Sequence, residues 1–195
     1  MMLYSVLHNE LWQKPLPFTS LSHEQFVKLQ QASAKQTVEG LVMGALIRNN
    51  VKLERADALL AYSRTMMIEQ LNRKVNTVAK ELATILANDD IDYRIFKGQT
   101  LALLYPHPET RMPGDIDFYC VPNHFARAQQ LLQKAWGITL GGEESMQHRD
   151  FSYKDVPLEM HFCMMKFNSN AIQTYWERLL AEASIEQVSI EGADV

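Results

Sequence analysis

Residues 114–121 read GDIDFYCV and place two acids, one residue apart, at the head of an apolar run. Such a run, preceded by a cluster of proline and glycine, predicts a short β-strand. Alternate residues of a strand project to the same face, so Asp115 and Asp117 are expected to aim at one point while Ile116 faces the core. Mg²⁺ is bound by one or two such carboxylates together with substrate phosphates. The segment therefore predicts a strand that carries a metal-binding pair.

The same tripeptide occurs 25 residues earlier, as Asp90-Ile91-Asp92. This first copy follows the end of a long helical pattern, where a polar connection is expected. We interpret it as a solvated loop without a catalytic role. The tripeptide alone is therefore weak evidence for a metal site. Any functional role of the second copy has to be inferred from the residues around it.

Upstream, residues 93–99 read YRIFKGQ and predict a short strand that ends at a glycine and opens a helix. Gly98 lets the backbone approach a ligand closely, and the first N–H groups of a following helix favour an anion. Lys97 adds a mobile positive charge, and Arg111 in the next loop is placed to bind a triphosphate oxygen. In isolation the pattern also fits an ordinary strand-turn-helix. Beside a carboxylate pair it favours a phosphate site.

Downstream, residues 156–162 read VPLEMHF and alternate strictly, so Glu159 and His161 share one face of a strand. A charged residue within an apolar strand is costly to bury unless it has a partner. We expect Glu159 to be a third acid of the site and His161 to support it by packing and hydrogen bonding. The alternative is the solvent side of an edge strand, where Pro157 is tolerated.

The remaining pattern predicts an α+β fold, with N-terminal helices followed by a small mixed β-sheet core flanked by helices. Ser22 begins a capping box with Gln25, Thr37 is expected to cap the next helix, and residues 53–86 form one long helical pattern or two nearly continuous ones.

We divide the chain into a helical region at 1–89 and an α/β core at 90–195. Asn123 is expected to cap a helix that ends at Gly137, and Lys154-Asp155 to turn a hairpin; a last helix is expected over 170–183.

Composition narrows the function classes. The net charge of −4 argues against sequence-independent binding to long nucleic acid, which needs many basic contacts. Cys120 and Cys163 do not suffice for a structural zinc site or a disulfide scaffold. The N-terminus lacks the pattern of a signal peptide, and no apolar run is long enough to span a membrane. These features predict a cytoplasmic protein that does not use a membrane.

Together the motifs resemble an uncharacterised nucleotidyltransferase family of the DNA polymerase β-like superfamily. The matching elements, spread over about residues 90–165, are Lys97-Gly98, Tyr105-Pro106, Arg111, Gly114-Asp115-Ile116-Asp117 and Glu159-x-His161.

The resemblance implies a role for each motif. Asp115 and Asp117 would bind Mg²⁺ or Mn²⁺, and Glu159 would be the third catalytic carboxylate. The nucleotide would be bound by Lys97, Gly98, Gln99, Arg111 and Gly114. The sequence departs from the superfamily pattern where Gln99 replaces the usual Ser and where the third acid is Glu rather than Asp. The family also tends to continue into a helical C-terminal region, and a chain that stops short of this region would lack part of the substrate site.

The leading hypothesis is therefore an enzyme that transfers a nucleoside monophosphate from an NTP to a small-molecule, protein or RNA-end acceptor. Glu159 would either accept the proton of the acceptor or complete a second metal site. The alternative is a catalytically inactive relative that binds a nucleotide or a partner protein. A zinc hydrolase built on His107, His148 and His161 is disfavoured because the chain has no His-x-x-x-His spacing.

Overall fold

The computed structural model describes residues 2–140, 147–183, 187–190 and 193–194. Its helices are α1 (Met2–Trp12), α2 (His23–Lys35), α3 (Glu39–Arg48), α4 (Arg55–Asn88), α5 (Gly98–Ala102), α6 (Pro122–Trp136) and α7 (Asn170–Glu182), with a 3-10 turn at Pro108–Thr110. Its strands are β1 (Tyr93–Phe96), β2 (Ile116–Cys120), β3 (His148–Tyr153), β4 (Val156–His161), β5 (Ser189–Ile190) and β6 (Ala193–Asp194). The predicted α+β class is confirmed.

Two compact units divide the described residues. The first comprises residues 2–74 and 101–114, and the second comprises residues 75–100 together with the described residues from 115 onwards. Helix α4 is continuous over 34 residues and contributes to both units. A compact unit is not the same as an independently folding domain, so the division expected between residues 89 and 90 stays a prediction.

In the first unit, α1, α2 and α3 pack around a common apolar core. Ser22 accepts a hydrogen bond from the backbone N–H of Gln25, whose side chain accepts one from Ser22, so the predicted capping box is confirmed. The predicted cap at Thr37 is wrong. Thr37 has a left-handed φ of 55°, its hydroxyl donates to the carbonyl of Gln36, and Val38 occupies the N-cap position instead.

The loop after α5 is fastened to the first part of α4. Asn72 is buried, and its side-chain amide donates to the backbone carbonyls of Glu109 and Arg111 at 2.8 and 2.7 Å. Gly40 leaves room for this loop, because a Cβ there would lie 2.2 Å from the carbonyl oxygen of Thr110. These contacts give the proline-rich segment a defined path within the first unit.

The second unit is built on a four-stranded sheet in the order β1-β2-β4-β3. The central strands β2 and β4 are parallel, while β1 and β3 pair antiparallel at the two edges. One face of the sheet forms an apolar core with the second part of α4 and with α6. Its largest fully buried side chains include those of Phe118, Leu158, Met160, Leu82 and Leu132.

Two turns in this unit show how local sequence sets the fold. Lys154 and Asp155 both have left-handed φ values, 50° and 55°, which is the geometry of the predicted two-residue hairpin between β3 and β4. Gly137 ends α6 in the left-handed conformation, as predicted. The predicted cap at Asn123 is wrong, because Pro122 begins the helix and Val121 precedes it.

None of the described helices combines the length and the apolar character that a membrane span requires.

Candidate functional site

The open face of the sheet carries the acids that the sequence singled out. Along β2, Ile116 and Phe118 point into the apolar core and are 2% and 0% exposed. Asp117 alternates with them and is itself only 3% exposed, and Asp115 stands immediately before the strand, half-buried. A carboxylate buried to this extent needs a cation or strong hydrogen-bond donors close by.

Strand β4 supplies the third acid. Asp117 and Glu159 are direct partners in the parallel register of β2 and β4, so their side chains project side by side. One carboxylate oxygen each of Asp115, Asp117 and Glu159 lies within 4.8 Å of the others. The edge-strand alternative for residues 156–162 is wrong, because β4 lies between β2 and β3; Pro157 is accommodated opposite Ser152 of β3. The structure thus brings the three predicted acids together.

Crowding of these acids shows in the pKa of Glu159. Burial raises this pKa above its usual range, and the charges of Asp117 and Asp115 raise it further. His148 and His161 act in the opposite direction. Like charges at close range raise the pKa of a carboxyl group in this way.

Lys97 faces the same point. Its ammonium donates a hydrogen bond to Asp117 Oδ1 at 2.9 Å and lies 5.1 Å from the centre of the Phe96 ring. This hydrogen bond raises the pKa of Lys97, and the charges of Asp117, Glu159 and Asp115 do so as well. Lys97 is one of the few non-glycine residues with a left-handed φ, here 59°. The sequence predicted Lys97 for phosphate, whereas its observed partner is a site carboxylate.

Gly98 stands at the predicted junction of strand and helix, between β1 and α5. Its φ is +34°, and a Cβ built there would lie 3.2 Å from the backbone carbonyl oxygen of Asp115. The chain therefore passes close to the acidic pair at a position where a side chain would strain the backbone. Helix α5 has only five residues. Its dipole is correspondingly small, so the turn rather than the helix is the feature that would matter for an anion.

Gln99, in the place of the usual Ser, is turned inward. It is 6% exposed, and its amide nitrogen donates to Asn76 Oδ1 of α4. Asn76 is a contact that the sequence analysis missed. In the sequence, Asn76 is a polar residue next to Val75, which belongs to the apolar stripe of a long helix. This position shows that Asn76 has a buried polar partner only once the fold is known.

His161 supports the acids from within the sheet. It is 5% exposed, and its Nε2 lies 3.0 Å from Asp117 Oδ1 and 3.2 Å from Glu159 Oε2. Because both neighbours are acceptors, Nε2 carries the hydrogen and acts as a donor. Its ring also packs edge-on against that of Phe96, with centroids 5.1 Å apart.

A second group of possible metal ligands overlaps the first. His148, Glu159 and His161 also present ligand atoms within 4.8 Å of one another. His148 pairs with His161 across β3 and β4, and its Nε2 lies 3.2 Å from Asp150. With Nε2 of His161 donating to Asp117, this nitrogen is not available as a metal ligand in the observed arrangement. His107, the third histidine of the zinc hypothesis, lies in the first compact unit beside Glu109.

Arg111 and Gly114 also belong to the first compact unit. Arg111 is half-buried and donates to the backbone carbonyl of Met112 at 3.3 Å. Gly114 is exposed, with open space where a Cβ would stand. Their contacts with a nucleotide stay a prediction.

A groove runs between the sheet and α7. Its volume is about 580 Å³, and its lining includes Arg94, Tyr119, Met164, Glu177 and Leu180. Tyr119 is two residues beyond Asp117 on the same face of β2, a step of about 7 Å along a strand. None of the three acids lines the groove.

Comparison with known proteins places this arrangement in a family. A solved structure with 21% identity, the crystal structure of an antigenic nucleotidyltransferase-like protein from Paracoccidioides brasiliensis, matches 62% of this chain and 58% of that chain with a TM-score of 0.40. The chain thus spans less than two thirds of that protein. No curated protein gives a significant match. The profile of the family described as "Uncharacterised nucleotidyltransferase" matches residues 22–195, which is most of the sequence and includes every predicted site residue. The chain therefore belongs to this uncharacterised nucleotidyltransferase family.

Proposed function

We propose that this member of the family is an active nucleotidyltransferase, which transfers a nucleoside monophosphate from an NTP to an acceptor with the help of Mg²⁺ or Mn²⁺. The observation that carries the proposal is the convergence of Asp115, Asp117 and Glu159 on one face of two parallel strands. Three carboxylates held this close form a site for positive charge. The divalent cation that accompanies an NTP supplies that charge.

The residues fit such a cation. Carboxylate oxygens are the ligands that Mg²⁺ prefers. The pKa of Glu159 is raised first by burial and then by the charges of Asp117 and Asp115, and a bound cation would offset the effect of these charges. The ammonium of Lys97 already lies against Asp117, which indicates that a cation is accommodated at this point. When bound, the divalent cation would neutralise the triphosphate and polarise the phosphoryl group that is transferred.

The chain's own residues would position the substrates. Asp115, Asp117 and Glu159 would hold the cation. His161 would keep Asp117 and Glu159 oriented through its Nε2–H. The glycine turn would leave space for the triphosphate beside the acids, where Lys97 can reach its oxygens. Most of the catalytic effect would come from this positioning and from electrostatic stabilisation.

Glu159 is the candidate to accept the proton of the acceptor hydroxyl, because its side chain is 31% exposed whereas that of Asp117 is 4% exposed. An NTP-dependent reaction also fits the cytoplasm, the compartment suggested by the sequence.

The test combines binding with turnover. Binding of the four NTPs in the presence of Mn²⁺ should be measured by calorimetry for the parent, Asp117→Asn and the control Asp92→Asn, and pyrophosphate release should be followed with a panel of acceptors. We expect the parent and Asp92→Asn to bind an NTP and Asp117→Asn to lose binding. Equal binding by all three proteins would overturn the proposal. Binding without release of pyrophosphate for any acceptor would favour the alternative of an inactive nucleotide-binding module.

A further inference from the structure

Lys97 occupies the position of a cation in a site that is proposed to bind one. Its ammonium is 2.9 Å from Asp117 Oδ1, the most deeply buried of the three acids, and it is attracted by all three. The side chain of Lys97 is nevertheless 58% exposed, whereas that of Asp117 is 4% exposed. The lysine is thus free to leave towards solvent, and the aspartate is not.

The backbone explains why the ammonium reaches inward. Lys97 follows the last residue of β1 and has a left-handed φ of 59°, which turns the chain sharply into α5. The hydroxyl of Thr100 donates a hydrogen bond to the carbonyl oxygen of Lys97 at 2.7 Å and so stabilises this turn. The Phe96 ring lies beside the ammonium, with 5.1 Å between Nζ and the ring centre. The turn and the ring together hold the amine on the acidic side of the chain.

A divalent cation and this ammonium cannot share the same carboxylate oxygen without repulsion. At contact distances two positive charges repel each other, and solvent screening weakens this repulsion without removing it. A metal ion that enters alone must therefore displace Lys97 without giving it a new partner. A metal ion that arrives with a triphosphate brings the anion to which the released ammonium can move.

We propose that Lys97 is a built-in counter-ion, which holds the three acids together in the ion-free protein and passes to the triphosphate when a metal-nucleotide complex binds. This inference rests on the proposed function. It assigns to Lys97 two successive anionic partners, first Asp117 and then a phosphate. Its consequence is that free divalent cations bind weakly and that the cation enters together with its nucleotide.

The test is titration of free Mn²⁺, followed by electron paramagnetic resonance, for the parent and for Lys97→Met. Removal of the competing ammonium should tighten the binding of free Mn²⁺ by about tenfold, within the usual range of coupling between two ligands. The same substitution should weaken the binding of a non-hydrolysable Mn-NTP analogue, because a phosphate contact is lost. Lys97→Arg retains the charge and should bind free Mn²⁺ as weakly as the parent.

Lys154 offers a matched control in the same compact unit. It also has a left-handed φ, its ammonium also lies about 5 Å from the ring of the preceding aromatic residue, and it also bonds one carboxylate, Glu81, at 2.7 Å. Lys154→Met should change neither Mn²⁺ titration. Thermal melting in a chelator should show that Lys97→Met is folded, with a lower Tm than the parent and a larger rise on addition of Mn²⁺.

The outcomes separate the two proposals. If Lys97→Met binds free Mn²⁺ no more tightly than the parent, while Asp117→Asn abolishes binding, the counter-ion role is wrong and the cation site stands. If neither the parent nor Lys97→Met binds Mn²⁺ with or without nucleotide, the cation site itself is wrong and the counter-ion role falls with it.

Discussion

The tripeptide Asp-Ile-Asp occurs twice in the second compact unit, and the two copies differ in everything except their central residue. Ile91 and Ile116 are 5% and 2% exposed and belong to the same apolar core. Asp90 lies in a turn with a left-handed φ of 52°, and Asp92 is exposed and pairs with Arg94. Asp115 and Asp117 instead meet a third acid, an ammonium and an imidazole. The difference teaches that neighbouring strands, rather than the tripeptide, make the site.

The largest effect is expected from neutralising the acids of each copy. Asp115→Asn with Asp117→Asn should weaken Mn-NTP binding by about a hundredfold or more, because a bound cation supplies several kcal/mol of charge interaction. Asp90→Asn with Asp92→Asn should leave binding unchanged and cost at most about 1 kcal/mol, since only an exposed ion pair is lost. Calorimetric titration of both double variants measures the contrast. Equal losses of binding would mean that the surroundings of the second copy carry no function.

The two central isoleucines are expected to respond alike, because both are buried in the same core. Ile91→Ala and Ile116→Ala should each lower the free energy of unfolding by about 2–5 kcal/mol through lost burial and a residual cavity. Urea denaturation measures this loss, provided that the slope of the unfolding free energy against urea concentration is the same for the variant and the parent. A cost below about 1 kcal/mol at Ile91 would show that the first copy is a loose loop rather than part of the core.

A third prediction concerns the glycine turn that accompanies only the second copy. Gly98→Val should weaken Mn-NTP binding about tenfold and lower stability by about 1–2 kcal/mol, because φ is positive and the added Cβ would crowd the carbonyl oxygen of Asp115. Gly137 is the matched control, with a φ of 63° and nothing within 4 Å of a Cβ. Gly137→Val should lower the Tm through strain alone and leave binding intact. Unaltered binding by Gly98→Val would reduce the turn to a bend in the chain.

The smallest effect is expected at Asp90. Its left-handed φ is tolerated by aspartate, favoured by glycine and disfavoured by alanine. Asp90→Ala should therefore be less stable than Asp90→Gly by about 1 kcal/mol, as measured from the midpoints of thermal unfolding. The two variants should bind Mn-NTP alike. The reverse order of stability would show that this turn is not left-handed in solution.

The sequence predicted those parts of the molecule that depend on local chemistry. The capping box at Ser22, the hairpin turn at Lys154-Asp155 and the end of α6 at Gly137 are confirmed, because each is set by a few neighbouring residues. Alternation along two strands also placed Asp117 and Glu159 on the correct faces. The caps at Thr37 and Asn123 were wrong, because adjacent residues of the chain took the cap and first-turn positions.

The parts that the sequence could not predict depend on strand order and on charge partners. The pattern of residues 156–162 is the same for a central strand and for an edge strand, and only the pairing of β4 with both β2 and β3 decides between them. Lys97 presents a similar problem. A lysine beside a glycine turn is attracted to any anion within reach, and the sequence does not show that Asp117 is nearer than a phosphate.

The parallel pairing of β2 with β4 also determines where the chain tolerates insertions. Residues 121–155 connect the two strands and include α6, β3 and the two-residue hairpin. Outside these elements, added residues cost little, about 0.6 kcal/mol for each doubling of the length of a loop. A shift of β4 by one residue against β2 would be far more damaging. It would turn Glu159 into the apolar core and bring Leu158 or Met160 beside Asp117. Insertions and deletions are therefore expected before β3, whereas the two-residue hairpin and the strand after it are expected to keep a fixed length.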